Sequence, residues 1–95
     1  MAGYFITHYD ITDDAMVRRY VDAVGATLAK YGGKVLVSGP GAQTVEGDPR
    51  LITVVVEFES IDVARAWYDD PEYQAIAGLR LDASANGWAV LAEGR

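Results

Sequence analysis

The sequence predicts an α+β domain in which strand, helix, strand, strand, helix and strand follow one another and share one four-stranded antiparallel sheet. Three observations carry this. Ninety-five residues, 51% of them hydrophobic and 11% aromatic, suit one globular domain and not a disordered chain. The apolar pattern switches between the two-residue period of strands and the 3.6-residue period of helices, in that order. The strand segments are apolar on both faces, although two helical segments can cover only one.

Tyr4 to Ile11 is rich in aromatic and β-branched side chains and reads as the first strand. Thr12, Asp13 and Asp14 offer cap and first-turn acids. Met16, Val17, Tyr20, Val21, Val24, Leu28 and Tyr31 then recur at helical spacing, and Gly32-Gly33 ends the helix after Lys30. Lys34 to Ser38 is a short second strand, broken by Gly39-Pro40-Gly41. A little more strand is expected around Gln43–Val45, before a turn at Gly47-Asp48-Pro49. Leu51 to Phe58 is the strongest strand. Ser60 caps the next helical segment, which Asp69-Asp70-Pro71 interrupts. Pro71 suits the first turn of a fresh helix capped by Asp70. Asn86-Gly87 marks a turn, and Trp88 to Glu93 is the last strand.

Two strand–helix–strand halves make the ferredoxin-like plan βαββαβ, with the first and third strands central. In the first strand Tyr4, Ile6, His8 and Asp10 oppose Phe5, Thr7, Tyr9 and Ile11. In the third, Leu51, Thr53, Val55 and Glu57 oppose Ile52, Val54, Val56 and Phe58. A solvated face would alternate with Lys, Glu or Gln; neither does. Leaving such a patch in water is unfavourable, so the second face predicts a homodimer, two sheets facing one another as a dimeric α/β barrel.

Net charge is −6, from eight Lys plus Arg against fourteen Asp plus Glu. The scattered basic residues make no phosphate-binding patch, so neither nucleic acid nor an anionic membrane is an expected partner. With no cysteine, thiolate catalysis and Cys-based metal centres are excluded. The start lacks a basic region followed by a long apolar run, and no stretch approaches the ~20 apolar residues of a membrane span. A cytoplasmic location is the expectation.

Lys30-Tyr31-Gly32-Gly33, Val45-Glu46-Gly47, Val56-Glu57-Phe58, Ala64-Arg65-Ala66-Trp67-Tyr68, Pro71-Glu72-Tyr73, Arg80 and Glu93-Gly94 together resemble the domain-of-unknown-function 1330 family. The resemblance covers nearly the whole chain, and the Trp-Tyr … Pro-Glu-Tyr segment is its most specific part. It implies a dimeric α/β barrel, a superfamily that includes cofactor-free monooxygenases, isomerases and cyclases. It implies no particular activity, because fold does not fix function. The family's first strand usually ends in acidic residues, whereas this one carries His8 and Tyr9.

Few polar side chains interrupt the apolar strands. His8, the single histidine, is either a proton-transfer residue at a pocket or a packed ring with one hydrogen bond. One His without a helical carboxylate or His pair makes no metal site, so no metal or other cofactor is expected. Asp10 and Arg50 fall at neighbouring strand ends: either an ion pair, or an Arg that holds a carboxylate or enolate oxygen. Glu57 is either paired with Arg80 or poised as a base in the sheet–helix cleft. Trp67, Tyr68 and Tyr73 are core residues that would also line a pocket there. Gly39-Pro40-Gly41 lacks the Lys and the following helix of a phosphate loop and reads as a turn.

Three functions follow. The first is a small-molecule-binding barrel with cofactor-free chemistry on a hydrophobic carbonyl compound, an isomerase, cyclase or monooxygenase. There His8 and Glu57 are the catalytic candidates, and Arg50, Trp67, Tyr68, Tyr73 and Arg80 the substrate-binding ones. The second is a non-catalytic ligand-binding or sensing module. The third is a structural dimerisation protein, whose mark would be a core without a cavity of ~300 Å³.

Overall fold

The computed structural model describes residues 1–95. Its strands are β1 (Gly3–Ile11), β2 (Lys34–Gly39), β3 (Ile52–Phe58) and β4 (Ser84–Glu93); its helices are α1 (Asp14–Lys30), α2 (Ile61–Asp69) and α3 (Pro71–Asp82). The sheet order is β2-β3-β1-β4, all pairs antiparallel, with β1 and β3 central as expected. The sheet is open, not closed on itself. No helix is long and apolar enough to cross a membrane.

Alternation in β1 sets the two faces. Phe5, Thr7 and Tyr9 are buried beneath the helices, and Val56 and Phe58 of β3 join them. Register places Tyr4 opposite Glu57, Ile6 opposite Val55 and His8 opposite Thr53 on the other face. Trp88 and Val90 of β4 pair with His8 and Ile6 there, and Val37 of β2 pairs with Val55. Trp88, Val90 and Val37 are all about half exposed, so this open face carries the apolar patch that the sequence pattern requires.

The helix ends are those the sequence marks. Asp13 accepts a hydrogen bond from the Met16 N–H and caps α1. At the other end Gly32 takes φ +68°, and the Gly33 and Gly32 N–H groups return to the carbonyls of Leu28 and Ala29. That glycine pair closes the helix because only a residue without Cβ enters the left-handed region freely. Ser60 caps α2, and Asp70 caps α3 with Pro71 in its first turn.

Two expectations need correction. Gln43–Val45 forms no strand; residues 40–51 are irregular between β2 and β3. Asn86-Gly87 is no turn before β4 but lies inside it. Between His8 and Asp10 of β1 the partner strand advances from Trp88 to Ala85, one residue more. Asn86, at φ +57°, supplies the bulge. The same left-handed preference that marks Asn-Gly as a turn also serves a bulge, and pairing on both sides decides between them.

The core is aromatic and lies mainly under α2 and α3. Trp67, Tyr73 and Phe58 are fully buried. The Trp67 ring centroid stands 4.0 Å from that of Tyr73 and 5.0 Å from that of Phe5. α1 packs against α3 more than on the sheet, and so stands away from β2 and β3.

Candidate functional site

That gap is a cavity of about 440 Å³ between α1 and the helix-facing side of the sheet. The volume falls within the roughly 300–1,000 Å³ of small-molecule sites. Thirteen of its eighteen lining residues are hydrophobic and none is acidic. Ile52, Val54 and Val56 of β3 form the floor; Val21, Val24 and Leu28 of α1 form the roof. Val35 of β2 and Val21, half exposed, mark the rim. The space beneath α1 is therefore not filled by side chains.

Trp67 and Arg80 stand at the inner end. Trp67 is fixed by its indole N–H, which donates to Thr27 Oγ1 at 3.1 Å; Thr27 in turn donates to the Val24 carbonyl. Arg80 sits on α3, 4% exposed, with its guanidinium carbon 5.8 Å from the ring centroids of Phe5 and Tyr20 and 6.0 Å from that of Tyr9. Rings at this distance stabilise a cation through their negative faces. No carboxylate forms an ion pair with Arg80, and its Nε is buried with no hydrogen-bond partner.

Tyr20 and Tyr73 share a hydrogen bond of 3.0 Å between their hydroxyls beside this guanidinium. Burial pushes the Tyr20 phenol well above its ordinary value, and the neighbouring Tyr73 adds to the shift against the opposing charge of Arg80. Tyr9 is raised chiefly by burial. Burial opposes the charge of Arg80, but the Tyr73 and Tyr20 oxygens outweigh it and hold the guanidinium protonated. The inner end is therefore one buried cation among neutral phenols.

The expected site residues separate into two groups. Trp67 and Arg80 line the cavity, and Tyr73 joins through Tyr20. Tyr68 instead lines shallower grooves beside β4. His8 and Glu57 project from the open face, across the sheet from α3, so the expected pairing of Glu57 with Arg80 does not form. Their strand parity decides this: both belong to the face of Tyr4 and Ile6, whereas Arg80 packs on Phe5 and Tyr9. Glu57 accepts a hydrogen bond from the Tyr4 hydroxyl at 3.2 Å instead.

His8 Nδ1 lies 3.0 Å from the Ile52 carbonyl and 3.0 Å from Thr53 Oγ1. A carbonyl only accepts, so the Ile52 contact is a hydrogen bond only when Nδ1 carries the proton. His8 and Trp88 line a groove of about 430 Å³ with residues 42–48. Arg50 is 3.8 Å from Asp10, the expected neighbour, and donates to the carbonyls of Asn86 and Pro49. Asp10 also accepts from the Leu51 N–H. Arg50 thus ties the β2–β3 connection to the β4 bulge, away from the cavity. No group of three or more His, Asp or Glu is placed to hold a metal ion.

In the sequence Tyr20, Val21 and Val24 read only as part of the apolar stripe of α1, and Gly25 carries no expectation. The signal for a site was present in part: a glycine stands within the apolar stripe of α1, where nothing lies within 4 Å of a Cβ built on it.

A family model described as domain of unknown function (DUF1330) matches residues 2–94. No curated protein matches the chain. Solved structures share its fold. A protein of unknown function from Rhodopseudomonas palustris superposes with TM-score 0.81 at 14% identity, over 99% of this chain and 82% of that one. A dimeric ferredoxin-like protein of unknown function from Jannaschia sp. CCS1 gives 0.76 at 13% identity, over 99% and 100%. SnoaB, a cofactor-independent oxygenase from Streptomyces nogalater, gives 0.67 at 15% identity, over 99% and 93%.

Proposed function

The chain belongs to the DUF1330 family, whose description names no activity, and on that premise we propose that it binds a hydrophobic small molecule in the cavity beneath α1. The ligand would direct a carbonyl oxygen at Arg80. The observation that carries this reading is a preformed apolar cavity whose lining includes one buried cation, Arg80, with no carboxylate partner. A few converging polar groups in an apolar hollow are what fixes a ligand's orientation.

The binding unit is a homodimer joined through the open face. Exposed Trp88, Val90 and Val37 support this, as does the dimeric state of the Jannaschia relative by fold. Two copies then carry two cavities, both on the outer, helix side of the paired sheets.

Cofactor-free turnover is the finer reading, supported by the existence of such an oxygenase on this fold. Arg80 and a phenol of Tyr20 or Tyr73 would steady negative charge on the ligand oxygen. His8 and Glu57 lie across the sheet, out of reach of a ligand in the cavity, and remain candidates for proton transfer only to a compound at the open face, where His8 lines the groove beside Trp88. Turnover that uses His8 would fall in His8→Gln without a loss of cavity binding; an unchanged rate would remove His8 from the chemistry.

Gly25→Phe tests the cavity. The new ring is placed at the roof of the cavity, and losing a helix-interior glycine favours α1. An apolar fluorescent dye that brightens with the wild-type protein should lose that enhancement in the variant, with the folded state unchanged by circular dichroism. Equal enhancement in both would mean that the dye, and the proposed ligand, do not use the cavity.

A further inference from the structure

We infer that the ligand of this cavity is an apolar monocarboxylate, held as the anion by Arg80 and not bound as a neutral carbonyl compound. The inference rests on the cavity reading above and sharpens it to a substrate class.

Charge balance carries the argument. The eighteen residues around the cavity include one cation, Arg80, and no acid. An isolated buried charge is costly, and the usual remedy is a paired, hydrogen-bonded counter-charge. An arginine does not escape by losing its proton. Here three aromatic rings lie about 6 Å from its carbon, yet Nε is left with no acceptor. Burial raises the Tyr20 and Tyr9 phenols beside it, so they offer oxygens but no charge.

A neutral ketone would supply one acceptor and leave the charge uncompensated. A carboxylate supplies the missing charge, and its two oxygens match the geometry of a guanidinium group. One negative charge balances one positive charge. A dianion would bring a second charge into a cavity with nothing to meet it. The rest of the ligand must be apolar, because Val24, Leu28, Val54, Val56 and Phe5 surround it. Flat aryl acids and short alkyl acids share this chemistry.

The experiment uses the full chain and two shape-matched pairs, naphthoate against naphthamide and octanoate against octanamide, with affinities read by titration calorimetry at neutral pH. Each pair keeps size and differs in charge. The expected result is a preference for the acid of about tenfold or more in at least one pair, the range of a charge-assisted hydrogen bond. Arg80→Met, of similar length and without charge, should bring that ratio to about one, and Arg80→Lys should retain part of it. If Arg80→Met does not fold, Arg80→Gln takes its place. A purely packing role for Arg80 would weaken acid and amide alike and leave the ratio intact.

Equal binding of acid and amide would overturn the monocarboxylate assignment while leaving the cavity reading standing. An acid preference that survives in Arg80→Met would overturn the role of Arg80. Absence of binding by all four compounds, together with dye enhancement that Gly25→Phe does not alter, would overturn both readings.

Discussion

Single side chains decide what this sheet can do, and strand parity decides which of them meet. Glu57 and Arg80 are the natural charge partners in the sequence, yet one faces away from the helices and the other lies beneath them. The residues were legible; their pairing was not, because it depends on which face of β3 the helices cover. Trp67 and Tyr73 were legible as core, and their burial bears that out. Thr27 was not, since a threonine in a helix gives no hint that it accepts the indole N–H of Trp67 40 residues away. Its role is testable. Thr27→Val keeps the shape but strands a buried donor, which costs about 1–3 kcal/mol. Urea unfolding should show a lower midpoint with an unchanged slope. An unchanged midpoint would mean that the indole finds another acceptor.

At the level of elements, the junction of α2 and α3 is fastened to the end of α1 through one carboxylate. Asp70 caps α3 through the Glu72 N–H at 2.8 Å and accepts from Lys30 at 3.0 Å and from the Tyr31 hydroxyl. The Tyr31 phenol foremost, then Lys30 and the Glu72 N–H, hold its carboxyl down at about 2, below its ordinary 3.8. A carboxyl whose folded value is depressed stabilises the fold above the unfolded value and loses that contribution as pH falls through the folded one. Asp70→Asn keeps a capping side chain but removes the charge. Its melting temperature should lie below wild type at neutral pH, and the gap should close between pH 3.8 and about 2. A gap constant with pH would assign the loss to geometry and not to charge. The caps at Asp13, Ser60 and Asp70 were readable because they rest on local hydrogen bonds. The bulge at Asn86 was not, because pairing with β1 on either side makes it one.

For the whole molecule, the order of elements followed from periodicity, and the central place of β1 and β3 from the ferredoxin-like plan which that order matches. The cavity did not: α1 shows a continuous apolar stripe whether it lies on the sheet or stands off it. The open face bears on assembly. Replacing Trp88 with Glu puts a charge into the proposed interface, and desolvating an unpaired charge opposes association. Sedimentation should show a dimer for the wild-type chain and a monomer for Trp88→Glu; a wild-type monomer would exclude the open face as a subunit contact. The hollow beneath α1 has one more consequence, for the life of the protein in a cell. A cavity of this size in a core lowers stability relative to a packed one. A ligand at a hundred times its dissociation constant restores about 2.7 kcal/mol by mass action. Differences of that size change how much of a protein escapes proteolysis, so the proposed function predicts that the amount of this one rises and falls with the supply of its ligand.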